Sequence, residues 1–127
     1  MIVGLGIDAI EIDRFSNYST RKNLQRLFHP EEIIYCLSNP SKSAERFALR
    51  FAAKEAFFKA LTQANGGTPP CPFLTLCSIT CIIASPAPTI YIKSDTTPIP
   101  IFNECTSIIT LTHTKKIAVA QVILQKI

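Results

Sequence analysis

Residues 43–64 read SAERFALRFAAKEAFFKALTQA, and this stretch decides the fold. Alanine and other strong helix formers fill it, so it predicts one long α-helix. Ser43 is suited to cap the amino end, and Glu45 favours the first turn because its charge complements the helix dipole. Gly66 and Gly67 follow closely and predict the end of the helix.

One face of this predicted helix combines aromatic side chains with a carboxylate. At about 100° per residue, Phe47, Phe51 and Phe58 fall within roughly 40° of one another. Phe51 is therefore predicted to lie in the core, and Glu55 falls inside the same arc. A carboxylate there is partly desolvated, so it must be protonated or face a cation. Lys59 lies one turn further on, and an ordinary Glu55–Lys59 helix pair is the alternative interpretation.

The segment at the amino end of the chain predicts a β-strand. Residues 2–12 read IVGLGIDAIEI, in which β-branched residues dominate. Gly4 and Gly6 inside this strand indicate that another backbone or a ligand approaches closely. Asp8 places a second carboxylate in an apolar segment. Its alternative interpretation is an ordinary aspartate at a turn or strand end.

Between this strand and the long helix, residues 15–39 predict two shorter helices, and Pro30 lies near the first turn of the second. The segment also carries most of a basic cluster: Arg14, Arg21, Lys22 and Arg26. Such a cluster is either a solvated helix face or a docking surface for an acidic protein or nucleic acid. Nucleic acid is the less favoured partner because no stacking aromatic residues are interleaved.

The second half of the chain predicts β-structure. Four apolar segments predict strands: residues 73–83, 88–93, 107–112 and 117–125. Residues 95–106 are predicted to be irregular, because Pro98 and Pro100 oppose a regular helix. Residues 113–116 are predicted to turn the last hairpin, with His113 at its tip. Helices in the first half and strands in the second predict an α+β fold.

Composition limits the classes of protein that the chain can represent. Its 127 residues suit one domain spanning 1–127. A composition of 47% hydrophobic and 17% charged residues excludes intrinsic disorder. The apolar share suggests that a partner subunit covers some surface. The net charge of +4 favours an acidic substrate or partner. There is no apolar run of eighteen residues and no basic segment before an apolar one, so neither a membrane span nor a signal peptide is expected.

The ionisable side chains suggest a metal and phosphate site. Asp8 and Glu55, if the fold brings them together, would suit Mg²⁺ with waters and substrate phosphates completing its shell. Lys54 and Lys59 would suit phosphate oxygens. The five cysteines are odd in number and lack CxxC spacing, so reduced cytosolic thiols are expected, without a Cys/His cluster for a softer metal. His113 alone has the alternative interpretation of an ordinary exposed histidine.

Three segments together resemble one known family. Residues 6–14, GIDAIEIDR, resemble the G-[IV]-D-x-x-x-x-x-R motif of the holo-acyl-carrier-protein synthases. Residues 51–61, FAAKEAFFKAL, resemble their F-[AS]-x-K-E-[AS]-x-x-K-A-[LI] helix. Residues 111–124, LTHTKKIAVAQVIL, are similar to their closing S-H-x-x-x-x-A-x-A-x-V-I-L pattern. The three motifs follow the family's order and spacing, so the resemblance spans nearly the whole chain.

The resemblance implies a 4'-phosphopantetheinyl transferase fold, with helices packed on an antiparallel sheet. Such enzymes move 4'-phosphopantetheine from coenzyme A to a serine of an apo acyl carrier protein, release 3',5'-ADP and need Mg²⁺. The carrier serine attacks the β-phosphorus while positive charge neutralises the pyrophosphate. The resemblance further implies a homotrimer with active sites between subunits and a role in fatty acid biosynthesis. From the reduced thiols, the lack of an apolar span and the lack of stacking aromatics, we expect a cytoplasmic protein with neither membrane nor nucleic acid as a partner.

The resemblance also implies a role for individual residues. Asp8 and Glu55 would hold the metal, Lys59 would contact the phosphates and steady the leaving group, and these three form the catalytic set. Glu55 or a water molecule would accept the serine proton. The coenzyme A site would include Lys54, Lys59, Pro88, Thr112 and His113, with Arg50 as a weaker candidate. The docking surface for the carrier would include Arg14, Arg21, Lys22 and Arg26.

The chain departs from the family pattern in two places. Pro86 replaces the glycine of a G-x-P turn near the adenine, although Pro88 matches, and proline cannot adopt the positive φ that glycine allows. The family also has a helix before its final hairpin, and residues 95–106 predict that this helix is short, kinked or absent. Neither change touches the predicted metal and phosphate residues.

Two other functions remain open on the sequence. The same carboxylates would serve a magnesium-dependent phosphoesterase or nuclease that needs no carrier protein. A binding module would use only the basic cluster, to hold an acidic protein. The intact set of Asp8, Glu55 and Lys59 argues against an inactive family member, and the transferase is the leading hypothesis.

Overall fold

The computed structural model describes residues 1–17, 23–93 and 99–127. Its helices are α1 (Leu24–Leu27), α2 (Pro30–Leu37), α3 (Ser43–Ala64), α4 (Phe73–Ile79) and α5 (Pro100–Glu104). Its strands are β1 (Ile2–Glu11), β2 (Thr80–Ile83), β3 (Thr89–Ile92), β4 (Cys105–His113) and β5 (Ile117–Lys126). Short 3₁₀ turns occupy Ile12–Phe15 and Pro40–Lys42. The α+β fold predicted from the sequence is confirmed.

The main sheet is antiparallel and has the strand order β1-β5-β4. The final hairpin therefore inserts β5 between its own partner β4 and the amino-terminal strand. Ala120 of β5 pairs with Asp8 on one side and with Leu111 on the other. Strands β2 and β3 form a separate two-stranded antiparallel sheet. The strands predicted at 2–12, 88–93, 107–112 and 117–125 are thus confirmed, with shifts of a few residues at their ends.

The long helix α3 packs across this sheet, and two glycines make the close approach possible. A Cβ atom on Gly6 would collide with the carbonyl oxygen of Ala56, and one on Gly4 with that of Ala60. Small alanines on the facing side of α3 complete the contact and are fully buried. The prediction that another backbone approaches Gly4 and Gly6 is confirmed, and that backbone belongs to α3.

Three local predictions are wrong. Residues 73–79 form helix α4 rather than a strand, because Pro72 starts a helical turn that the apolar side chains then bury against α3. Residues 100–104 form helix α5 rather than irregular structure, because Pro100 occupies its first position, where no backbone donor is needed. With five residues, α5 does confirm the expectation of a short helix before the final hairpin. Ser43 does not cap α3, since the preceding 3₁₀ turn leads directly into the helix and Lys42 precedes it.

The loop between β2 and β3 contains the departure from the family's G-x-P pattern. Residues 85–87 form a bend, and the Ser85–Pro86 peptide bond is cis. Pro98, the other proline expected to disrupt the chain, lies outside the described residues. Within the part of the chain that the structure describes, no helix is long and apolar enough to cross a membrane.

Candidate active site

Strand β1 and helix α3 bring Asp8 and Lys59 together. Gly4, Gly6 and Asp8 alternate along the face of β1 that α3 covers, so the carboxylate points toward the helix. Lys59 Nζ lies 3.1 Å from Asp8 Oδ1 and donates a second hydrogen bond of 3.0 Å to the Ile7 carbonyl. The Asp8 side chain is 18% exposed and that of Lys59 is 51% exposed. The pair therefore sits at the rim of the β1–α3 contact, where a ligand can reach it.

Glu55 completes this group one helical turn before Lys59. It is half-buried, and desolvation raises the pKa of its carboxyl group. The nearby charge of Asp8 raises the pKa further, while Lys59 and Arg14 act in the opposite direction. The prediction of a partly desolvated acid is confirmed. Lys59 forms its ion pair with Asp8, so the alternative of an ordinary Glu55–Lys59 pair is not what the structure contains.

The donor set of this group fits a hard divalent cation. Two carboxylates from different elements face the same space, and their mutual repulsion is relieved when a cation lies between them. Oxygen donors with room for water and phosphate are the ligands of Mg²⁺. Asp8 and Glu55 therefore fit the magnesium that the sequence suggested.

The predicted docking residues lie near the amino-terminal side of this group. Arg14 sits in the 3₁₀ turn after β1, with its guanidinium carbon 5.9 Å from the centre of the Phe51 ring. Phe51 is only partly buried and packs on Phe15 and Phe73, so it lies at the edge of the core. Arg26 is exposed on α1. Arg21 and Lys22 lie outside the described residues.

The structure assigns Lys54 a structural place rather than a ligand-binding one. Its ammonium group is fully buried and lies 2.6 Å from Glu32 Oε1. It also donates to the carbonyl oxygens of Leu27, Cys77 and Thr80, at 2.9 to 3.1 Å. These contacts occupy all of its donors, so none is left for a coenzyme A phosphate. The prediction that Lys54 binds the cofactor does not fit this environment.

The remaining cofactor residues lie apart from Asp8 within one chain. Thr112 and His113 end strand β4, which β5 separates from β1. His113 Nε2 lies 3.1 Å from Glu45 Oε1, at the first turn of α3. Pro88 lies half-buried just before β3. The order of the main sheet, which the sequence did not predict, places β5 between Asp8 on β1 and the residues Thr112 and His113 on β4.

The sequence did not indicate a role for Tyr35. Tyr35 of α2 carries two guanidinium groups of α3 on its ring, Arg46 at 4.1 Å and Arg50 at 4.4 Å from its centroid. Tyr35 and Arg50 line a cleft of about 260 Å³ that reaches the β2–β3 loop at Ser85. Arg50 is 3% exposed, and its Nε has no hydrogen-bond partner among the residues that the structure describes. The only signal in the sequence is the spacing of two arginines one turn apart.

The expectation that no Cys/His cluster exists is wrong. His29, Glu31 and Cys81 lie together, with one ligand atom of each within 4.8 Å of the others. The sequence gives no metal-binding spacing because Cys81 comes from β2, far along the chain from α2. All five cysteines belong to the described residues, and each is a free thiol.

Comparison with known proteins places this chain in a family. Residues 4–121 match the 4'-phosphopantetheinyl transferase superfamily, so the chain belongs to it. The resemblance to holo-acyl-carrier-protein synthases is also confirmed. The chain is 52% identical over 71 residues to a holo-[acyl-carrier-protein] synthase of Geotalea daltonii and 50% over 68 residues to one of Treponema denticola. Each alignment covers 53% of this chain, and the chain spans only 56% and 55% of those relatives' lengths.

Solved structures share the fold over the whole chain. A holo-(acyl-carrier-protein) synthase of Bacillus anthracis in complex with CoA (3',5'-ADP) is 28% identical, with a TM-score of 0.77. That comparison covers 100% of this chain and 99% of the other. The Helicobacter pylori synthase in complex with coenzyme A is also 28% identical, with a TM-score of 0.70, over 95% of this chain and 99% of that one.

Proposed function

We propose that this chain transfers 4'-phosphopantetheine from coenzyme A to a serine of an apo acyl carrier protein and releases 3',5'-ADP. The observation that carries the proposal is the convergence of Asp8, Glu55 and Lys59 in a chain of this superfamily. The coenzyme A present in two related structures supports the same co-substrate here. Transfer to carrier proteins places the enzyme upstream of fatty acid biosynthesis.

Asp8 and Glu55 are the residues that would hold Mg²⁺, and the ion would supply positive charge to the pyrophosphate oxygens. Lys59 extends its half-exposed ammonium group into the same space, so it can bind a phosphate oxygen and stabilise charge on the departing 3',5'-ADP. Burial and the nearby charge of Asp8 raise the pKa of Glu55 in the metal-free protein, and this rise would be lost when the two carboxylates hold Mg²⁺. Glu55 or a water molecule would take the proton of the attacking serine.

Basic residues beside this group suit an acidic carrier. Arg14 lies close enough to affect the pKa of Glu55 and would therefore contact the carrier near its reactive serine. Arg26 is exposed on α1, and Arg21 with Lys22 extend the cluster in sequence. Charge complementarity of this kind steers encounter and orientation more than it adds affinity.

The uncovered face of the main sheet supports a homotrimer. Leu5, Ile7 and Ile108 point away from α3 and are 50%, 58% and 50% exposed. An apolar sheet face of this kind is a typical subunit contact. Thr112 lies on the same outward face of β4, whereas His113 points to the other face and reaches Glu45 of α3. A neighbouring subunit would therefore bring Thr112 to the active site, which would explain why Thr112 lies apart from Asp8 within one chain.

The cleft beside the β2–β3 loop supports a place for the nucleotide. Arg50 offers a buried guanidinium whose Nε lacks a partner within the described part of the chain, which suits an anion. Pro88 belongs to the adjoining loop, the one that the resemblance links to adenine. The five free thiols support a reducing compartment, and we place the reaction in the cytoplasm.

The direct test incubates the protein with coenzyme A, Mg²⁺ and an apo acyl carrier protein, and weighs the carrier by mass spectrometry. The carrier should gain one phosphopantetheine group, and EDTA or loss of the carrier serine should prevent the gain.

Lys59→Met should lower kcat by about 100-fold or more, as expected when one preorganised charge is lost from a phosphoryl-transfer site. Lys42→Met, on the 3₁₀ turn before α3, is the matched control.

The outcomes separate the three functions. Cleavage of coenzyme A without modification of the carrier would indicate a phosphoesterase. Binding of the carrier without transfer, unchanged in Asp8→Ala and Glu55→Ala, would indicate a binding module. Absence of both transfer and coenzyme A binding with several carriers would refute the transferase.

A further inference from the structure

A second group of metal-binding side chains lies away from Asp8 and Glu55, where α2 meets β2. His29 precedes α2, Glu31 lies in its first turn, and Cys81 lies in β2. One ligand atom from each lies within 4.8 Å of the other two. We propose that His29, Glu31 and Cys81 bind a soft divalent cation such as Zn²⁺, independently of the magnesium site.

The chemistry of the donors distinguishes this group from the carboxylate pair on β1 and α3. Imidazole nitrogen, thiolate sulfur and carboxylate oxygen are the ligands that Zn²⁺ accepts, and sulfur disfavours Mg²⁺. Three protein ligands leave a fourth position for water or another ligand. Cys81 Sγ already donates toward Glu31 Oε2 at 4.0 Å, so a cation would replace this proton, which leaves to solvent.

The site needs only small side-chain movements. Metal–ligand bonds of about 2.0–2.3 Å in a tetrahedron place neighbouring ligand atoms roughly 3.5 Å apart. The present group must therefore contract by about 1 Å from its widest separation. The Glu31 side chain is 58% exposed and free to move, whereas β2 fixes Cys81. Lys93 Nζ, 3.8 Å from Glu31 Oε1, is partly exposed and forms the weak ion pair that the cation would displace.

His29 also caps helix α2, and binding of a cation would change this contact. Its Nδ1 accepts a hydrogen bond of 3.2 Å from the Glu31 amide and so caps α2. When either ring nitrogen binds metal, the neutral ring carries its proton on the other, so this acceptor is lost. The other half of the cap remains, because the His29 amide donates to Glu32 Oε1 at 2.8 Å. The cost is one long hydrogen bond.

A path from solvent leads to the buried thiol. The cleft of about 260 Å³ that Tyr35 and Arg50 line also includes Glu31 and Cys81 in its wall. A cation can therefore enter without unfolding, although Cys81 is only 1% exposed. Once bound, it would join the start of α2 to the β2–β3 hairpin.

The test uses Co²⁺ as a spectroscopic substitute for Zn²⁺ in the full chain. Thiolate coordination produces a sulfur-to-cobalt charge-transfer band that carboxylate sites cannot produce, so the magnesium site is silent. One equivalent of Co²⁺ should produce the band, and Zn²⁺ should remove it. Cys81→Ser should abolish it, whereas Cys105→Ser, a half-buried thiol elsewhere, and Asp8→Asn should retain it.

Two further variants keep the test decisive if Cys81→Ser folds poorly. His29→Asn retains an acceptor for the helix cap but removes the imidazole, and Glu31→Gln removes the charge. Each should weaken Zn²⁺ binding by more than the roughly 10- to 100-fold that loss of an outer-shell partner costs. No band in the wild-type protein, a band that survives Cys81→Ser, or unchanged affinity in both other variants would overturn the proposal. None of these outcomes depends on transferase activity.

Discussion

The residues that pack against Glu55 raise the pKa of its carboxyl group. On an isolated helix it would be an ordinary glutamate one turn before a lysine. In the folded chain β1 half covers it and presents Asp8, so two acids share one space while Lys59 pairs with Asp8. The helical wheel predicted the burial of Glu55, but only the β1–α3 contact brought the second acid to it.

Replacing Glu55 by glutamine should raise the melting temperature at neutral pH in EDTA. The folded-state pKa of Glu55 is raised, so its contribution to stability is fully present below the unfolded pKa and is lost as pH rises through the folded pKa. The ionised acid is therefore unfavourable at neutral pH without a cation. Thermal melts across pH should show the Glu55→Gln gain shrink below about pH 4.3, the ordinary glutamate pKa.

Glu11→Gln, an exposed acid at the end of the same strand as Asp8, is the control and should leave the melting temperature nearly unchanged. Mg²⁺ should stabilise the wild-type protein but not Glu55→Gln. A Glu55→Gln variant that melts lower than wild type in EDTA would instead mark Glu55 as a structural partner of Lys59.

Lys54, the residue next to Glu55, is a charged side chain that stabilises the fold, because it is buried and paired with Glu32. Replacing it by methionine should lower the free energy of unfolding by about 3–5 kcal/mol, because Glu32 is left as a buried charge without its cation. Urea denaturation measures the loss. The double variant Lys54→Met/Glu32→Gln should recover part of it, and an additive double variant would contradict the pairing.

At the scale of elements, the contact between β1 and α3 depends on the missing side chain of Gly6. Gly6→Ala should lower the free energy of unfolding by about 3 kcal/mol or more, at the upper end for overpacking, since the methyl group meets the Ala56 backbone. Gly66→Ala is the comparison, because it has open space but a φ of +72°. It should cost about 1–2 kcal/mol through backbone strain alone. Equal losses in urea denaturation would contradict a steric role for Gly6.

Other elements show where local sequence signals fail. Residues 73–79 contain the apolar residues of a strand, yet they form α4. In a helix at this position, against α3 and β2, their apolar side chains are buried. α5 forms although Pro98 and Pro100 lie at its start, because Pro100 begins the helix rather than interrupting it. In contrast, the bounds of α3 were predicted correctly. Its alanine content and the glycines after its end favour the same helix that packing against the sheet stabilises.

At the scale of the whole molecule, the proposed homotrimer would depend on the exposed apolar side chains of the outward face of the main sheet. The wild-type protein should sediment with three times the 14.0 kDa mass of the chain. Ile108→Lys should sediment as a monomer and lose transferase activity, because the interface would bury an unpaired ammonium group. Analytical ultracentrifugation measures both.

Ile34→Lys is the matched control, since Ile34 is 71% exposed on α2 and points away from the sheet. It should leave the assembly intact. A monomeric wild-type protein that is fully active would contradict an active site shared between subunits.

The sequence by itself determined the helix at 43–64, the first strand and the final hairpin, and it indicated Asp8, Glu55 and Lys59, which the structure brings together. These follow from local propensity, periodicity and motif, which act over a few residues. The tertiary structure alone decided that β5 lies between β1 and β4, that Lys54 is buried on Glu32, and that His29, Glu31 and Cys81 meet. Each of these depends on packing between segments distant in the chain, and no local pattern encodes which distant segment will supply the partner.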